Sequence, residues 1–272
     1  MAKPLDPFGD YEDRGYLQNR GGFKDPATIK DLEHQSYRLG IGRAIADLAE
    51  GPLDYQAVLD THRTLFEKAY PTWAGKDRAA TAPNLRIFRP GMTGDFAHPD
   101  DVHGIVEHAL DPAEEHSPGK TYTILAHAHP FLDGNGRTIT AVMDEAMRRQ
   151  GKHVEWERMN KDAYLSALTR SLNQMDGRPM DMFLQPFVRE GALSVEQSTQ
   201  RLGGVKFEPA RAASPEAMTM DTLIRSLIGK MENPERRAKA DQLHAQMRER
   251  TVGALPGTRR SQGGRPDFDI GD

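Results

Sequence analysis

The chain has 272 residues, room for one large domain or one domain with an appendage, and 37% of them are hydrophobic before its 25 glycines are counted, enough for a buried core. It contains no cysteine, which excludes disulfides, thiol nucleophiles and thiolate metal sites. A net charge of -4 and a mean hydropathy of -0.68 argue for a well-solvated surface and against a generic polyanion binder.

The first residues, MAKPLDPFGDYEDRG, place prolines and acids where a signal peptide needs an apolar run, so a cytoplasmic setting is expected. No stretch approaches the roughly 20 apolar residues of a membrane span. Helical periodicity then dominates. Ile41, Ala44, Ile45 and Leu48 share one face, and Gly51-Pro52 stops that helix. Val58, His62, Leu65 and Ala69 repeat the pattern, with Leu59 and Phe66 widening the stripe.

One segment reads as β. Leu85 and Ile87 alternate with Arg86 and Phe88, and Pro90-Gly91 turns the chain back towards Asp95-Phe96. An isolated hairpin has little to bury, so it points to function more than to core. Further helical faces follow: Val102, Ile105, Val106 and Ala109, then Ile139, Val142, Met143 and Ala146, then Ala163, Ala167 and Leu168. Beyond about residue 200, Met220, Leu223, Ile224, Leu227, Ile228 and Met231 form one apolar stripe, and Asn233-Pro234-Glu235 opens a second, charged helix to about Arg250. The last stretch is rich in Gly, Pro and charge, and a disordered tail is expected there. The organisation expected is a body over 1–200, a helical appendage over 201–251 and a tail over 252–272. Interleaved acids and bases in the appendage argue against nucleic-acid binding.

The chemistry concentrates in His129-Pro130-Phe131-Leu132-Asp133-Gly134-Asn135-Gly136-Arg137, which runs straight into a helix. Gly-Asn-Gly permits positive φ and close backbone approach. Successive N–H groups in such a turn form an anion nest, and the helix N-terminus adds free donors. Arg137 supplies a fork suited to phosphate oxygens, and Asp133 a hard oxygen ligand suited to Mg²⁺ beside them. His129 is the group here that can take a proton near neutral pH. Alone, Gly-Asn-Gly would read as a linker between helices. With these residues around it, the stretch reads as a phosphate cradle for phosphoryl or nucleotidyl transfer, though not as a Walker loop.

At this point the sequence resembles a known family. HPFLDGNGRT is similar to the signature of Fic-domain proteins, H-x-F-x-[D/E]-G-N-G-R-x-x-R, at every fixed position but the last. The upstream segments 61–66 and 70–78 and the downstream Val154-Glu155-Trp156 also resemble that family, so the likeness covers roughly residues 10 to 190. It implies a mainly α, Fic-like helical bundle with a small β-hairpin flap. It further implies transfer of AMP from ATP, with Mg²⁺, to a Ser, Thr or Tyr hydroxyl of a target protein, as in a toxin or effector. The implied roles are a catalytic base at His129, a Mg²⁺ ligand at Asp133, and nucleotide-phosphate contacts at Gly134, Asn135, Gly136 and Arg137. Phe131 would fix the loop from the core. Leu85, Arg86, Ile87, Phe88 and Phe96 would form the target-docking flap. Export into another cell is the alternative to the cytoplasmic setting.

The departure is Thr140, where the family has a second arginine for the γ-phosphate. Arg148 and Arg149 lie too far along the helix to replace it. Weaker γ-phosphate contact, another donor (UMP, phosphocholine or phosphate) and a silent binding module are the readings this leaves. The family's inhibitory motif, [S/T]-x-x-x-E-[G/N], is matched by none of Glu50-Gly51, Glu190-Gly191 and Glu232-Asn233. A separate antitoxin-like inhibitor, or no such brake, is therefore expected.

Other residues carry weaker signals. His127 and His129 form the H-x-H pair of some metal hydrolases, a reading that needs a preceding strand and more ligands. His62 on an apolar face reads as a structural histidine, Trp73 and Trp156 as core anchors, and His98 as solvent-facing.

Overall fold

The computed structural model describes residues 17–204 apart from Lys24, Phe88 and Pro90. The helices expected over 220–250 and the tail after 252 lie outside the described residues. Nine helices are assigned within them: α1 (Pro26–Glu50), α2 (Tyr55–Phe66), α3 (Arg78–Thr81), α4 (Val102–Leu110), α5 (Pro118–Ala128), α6 (Asn135–Arg149), α7 (Lys161–Gln174), α8 (Arg178–Leu184) and α9 (Val195–Gly204). None is long and apolar enough to cross a membrane.

Local chemistry starts most of these helices. Asp25, Asp54, Ser117 and Asn160 cap α1, α2, α5 and α7 by accepting from a first-turn N–H. Prolines follow the caps of α1 and α5, where a missing N–H costs nothing. Helices α1 and α2 pack face to face, and the approach depends on Gly40. A Cβ there would lie 2.2 Å from the Thr64 carbonyl oxygen.

Helix α6 is the axis of the bundle. Ile139, Val142 and Met143 are buried as the periodicity predicts, but so are Thr138, Thr140, Asp144 and Glu145. Their polar groups are matched: Trp156 Nε1 donates to Asp144 Oδ1 at 3.0 Å, and Arg148 and Arg149 both pair with Glu145. Helix α5, against α6, was not foreseen as a helix. Tyr122 to Ala126 are buried without a break, so the middle of this helix shows no alternation of apolar and polar faces to give a period.

The small sheet is real but lies elsewhere than expected. Strand β1 (Lys152–Val154) pairs antiparallel with β2 (Val188–Glu190). Among the described residues of 85–97 no strand ladder is assigned; the Phe96 N–H donates to Ile87 O at 2.9 Å, and the chain turns where Met92 N–H donates to Arg89 O. Pro90 beside Gly91 removes a ladder donor there. Helix α9 packs on α1, and Tyr37 donates to Leu202 O at 3.3 Å.

Candidate active site

Helix α5 ends at Ala128, and His129 follows in the left-handed region at φ 43. This tight reversal turns the ring back into the bundle, where it is 4% exposed. Phe96 stacks on one ring face at 4.2 Å. Asn135 braces the other side. Its Oδ1 accepts from Phe131 N–H at 2.9 Å, which fixes the amide so that Nδ2 donates to Phe131 O and to His129 Nε2 at 3.0 Å. The neutral ring then carries its proton on Nδ1. Burial, with Arg78 and Arg89 nearby, holds the His129 imidazole well below its usual range. A neutral, proton-accepting ring follows at pH 7.

The loop is also held from beneath. Phe131 is fully buried and stacks on His62 at 3.7 Å. Gly75 N–H donates to His62 Nδ1 at 2.8 Å, so the ring proton sits on Nε2 and is donated to Asp133 O at 3.0 Å. Burial lowers this histidine to about 3. His62 is structural, as expected, and what it supports is the motif.

Helix α6 begins directly after Gly134, and no side chain caps it. Its first-turn N–H groups are thus available to an anion. Of the two motif glycines only Gly134 has positive φ, at 77; Gly136 lies within the first helical turn. A Cβ on Gly134 would also meet the Phe66 ring at 2.5 Å. Conformation and packing both require glycine there.

Arg137 is 3% exposed, lies over Phe66 at 4.6 Å, and donates through Nη2 to Glu33 Oε2 at 3.2 Å. Its Nε and Nη1 are buried with no partner among the described residues, an arrangement that suits a bound anion. Asp133 lies 3.7 Å from Arg137. Burial and the neighbouring Glu33 carboxylate raise the Asp133 carboxyl, against the opposing pull of Arg137. Tyr70 donates to Glu33 from the other side. Asp133 and Glu33 form a hard oxygen pair whose chemistry fits Mg²⁺.

Comparisons with known proteins agree with this geometry. The Fic/DOC family model matches residues 52–147, which contain the motif together with His62, Phe66 and Arg78. The chain contains a Fic/DOC-family domain. It is 25% identical over 181 residues to the protein adenylyltransferase VbhT of Bartonella schoenbuchensis, covering 61% of this chain and 36% of that protein. This chain thus spans about a third of that relative's length. It is 23% identical over 172 residues to a probable protein adenylyltransferase, y4lH, of Sinorhizobium fredii, covering 58% of this chain and 83% of the other. The fold is similar to that of the BepC effector of Bartonella tribocorum, solved with bound AMPPNP, at a TM-score of 0.56 and 19% identity over 66% of this chain and 95% of that one. A Bep effector Fic domain from Bartonella sp. AR 15-3 gives 0.57 and 16%, over 70% of this chain and 94% of that one.

Around the Fic motif, the structure adds residues that sequence reasoning missed. Arg78 is fully buried. Its guanidinium donates to the carbonyls of His129 (2.6 Å), Ala97 (2.6 Å), Ala128 (3.2 Å) and Leu85 (3.3 Å), and its own N–H donates to Pro130 O at 2.7 Å. One side chain therefore ties the end of α5 to both ends of the 85–97 segment. Glu33 reaches Arg137 across 104 residues of sequence, a separation that no local pattern can signal. Arg78, two residues after Lys76 in the matched upstream segment, stood within the resemblance without a role.

The expected flap residues divide. Leu85 and Ile87 are buried, Phe96 covers His129, Arg86 is exposed and pairs with Asp95, and Phe88 lies outside the described residues. Thr140 is buried with its hydroxyl 3.5 Å from Tyr122 OH. Arg148 and Arg149 are engaged by Glu145 and do not stand in for the missing arginine. Among the described residues neither His127 nor His129 belongs to a three-ligand cluster, and α5, not a strand, precedes them; the metal-hydrolase reading loses its support. Trp73 and Trp156 are buried anchors, and His98 is exposed.

Proposed function

We propose that the chain transfers AMP from ATP to a Ser, Thr or Tyr hydroxyl of a target protein. The observation that carries the reading is the juxtaposition of a buried, neutral His129 with an uncapped helix N-terminus and the unpaired nitrogens of Arg137. The names of the relatives support the AMP-transferase class.

In this reading the α6 N-terminus and Arg137 hold the nucleotide phosphates, and Asp133, beside Glu33, holds Mg²⁺, which would neutralise phosphate charge. The target hydroxyl oxygen bonds to the α-phosphorus, the bond from that phosphorus to the bridging oxygen breaks, and pyrophosphate leaves. His129 takes the hydroxyl proton. Asn135, His62 and Phe131 keep the ring and the cradle in register, so most of the rate enhancement comes from positioning and charge. The exposed middle of 85–97 receives the target segment, by strand addition or by Arg86 meeting an acidic side chain.

Thr140 favours a second reading, in which the same site uses another nucleotide or a phosphocholine or phosphate donor. A lysate incubated with the protein, Mg²⁺ and each α-labelled nucleotide separates the two. Label from ATP that vanishes in His129→Ala is expected. Label from UTP but not ATP favours UMP transfer by the same site, and no label from any α-labelled nucleotide overturns nucleotide transfer and favours a silent binding module or a donor whose α-phosphate stays behind. Thr140→Arg would set a guanidinium against Tyr122; if lost γ-phosphate contact limits this protein, ATP binding tightens in that variant.

A further inference from the structure

We propose that His108, Glu114 and His116 form a metal site of the zinc class that staples the connection between α4 and α5. This site is separate from the candidate active site and does not depend on the function proposed for it. One ligand atom from each residue lies within 4.8 Å of the others. His108 Nδ1 stands 3.5 Å from Glu114 Oε1, close to the spacing of roughly 3.3 Å between two ligands of a tetrahedral ion with bonds near 2.0 Å. The imidazoles of His108 and His116 meet edge to face, with centroids 4.8 Å apart. Closing the widest gap takes about 1.5 Å of side-chain movement. His108 and Glu114 have that freedom, being 49% and 44% exposed.

His116 supplies the observation that points to a ligand. Its Nε2 is buried and has no hydrogen-bond partner among the described residues. A buried imidazole nitrogen without a partner is costly unless something occupies it. The backbone around the cluster is already fixed. Asp111 caps a 3-10 turn over Pro112–Glu114, Glu115 takes the left-handed region at φ 46, and Ser117 caps α5 while donating to Asp181 Oδ2 at 2.6 Å. Two imidazoles and one carboxylate without thiolate select Zn²⁺ and its neighbours Co²⁺ and Ni²⁺ over Mg²⁺ or Ca²⁺. The set leaves a fourth position for water.

The test uses the full chain without a polyhistidine tag. Co²⁺ titration should give the visible absorption of a tetrahedral site at one ion per chain, and Zn²⁺ should displace it. His108→Gln with His116→Gln should weaken binding by at least about tenfold, with helical circular dichroism unchanged. Asp133→Ala should leave binding intact. A wild-type chain with no stoichiometric Zn²⁺ binding at micromolar concentration overturns the proposal. So does binding undiminished in the double variant, or binding lost in Asp133→Ala alone.

Discussion

Two segments meet at His129 and are held in opposite ways. Residues 129–137 are buried and braced at nearly every position: Asn135 closes the loop on itself, His62 holds Asp133 O, and Phe66 packs against Gly134 and Arg137. Residues 85–97 are fixed at their ends by Arg78 and at the tip by Asn173, which donates to Gly91 O and accepts from Thr93 N–H. Between these anchors Arg86 and its partner Asp95 face outward. The contrast teaches a division of labour. Atoms that would do chemistry need one geometry, and atoms that would meet a target need a surface.

Four substitutions or conditions test that division. The largest effect is expected of His129→Ala, which should lower transfer from labelled nucleotide by about 10²–10⁴-fold while leaving nucleotide affinity in place. Residual transfer at the parental rate would end the role given to this ring. Next, Arg78→Lys keeps the charge but cannot reach four carbonyls at once. It should cost about 2–3 kcal/mol in urea unfolding and reduce transfer more than nucleotide binding. Equal stability in the variant would show that the two segments are not tied through this side chain.

The pH dependence of stability comes third. His62 is held at about 3 in the folded protein by burial, below the ordinary histidine value near 6.5. Its contribution is thus fully present above that value and is lost as pH falls towards 3. Between pH 6.5 and 5 the loss should approach about 2 kcal/mol, and His129, shifted the same way, adds to it. Urea titrations of the parent and of His62→Gln should show a shallower slope in the variant; identical slopes would remove His62 from the account. The smallest effect belongs to Arg86→Ala. An exposed pair contributes under about 0.5 kcal/mol, so stability and nucleotide affinity should hold while modification of the target changes. Loss of nucleotide affinity there would break the division between the segments.

How much of this was legible follows from where each signal resides. Caps, prolines and amphipathic stripes are local, and α1, α2, α4, α6 and α7 follow them. Helix α5 escaped because Tyr122–Ala126 are buried without a break and show no period, although Ser117-Pro118 carried the same cap-and-proline signal read further on at Asn233-Pro234. Strands β1 and β2 have three residues each, too few to show alternation. The alternation of Leu85 and Ile87 did predict their burial, but not a ladder.

The sequence by itself determined the chemistry: a histidine, an acid, two glycines, an asparagine and an arginine within nine residues, leading into a helix. Backbone donors give that set its meaning, and they are implied by its own spacing. Only the tertiary structure decided what holds it. Glu33, His62, Phe66 and Arg78 come from α1, α2 and α3, and they reach the motif across 50 to 100 residues. Such contacts depend on how helices stack, and stacking depends on the whole apolar surface rather than on any one stretch of chain.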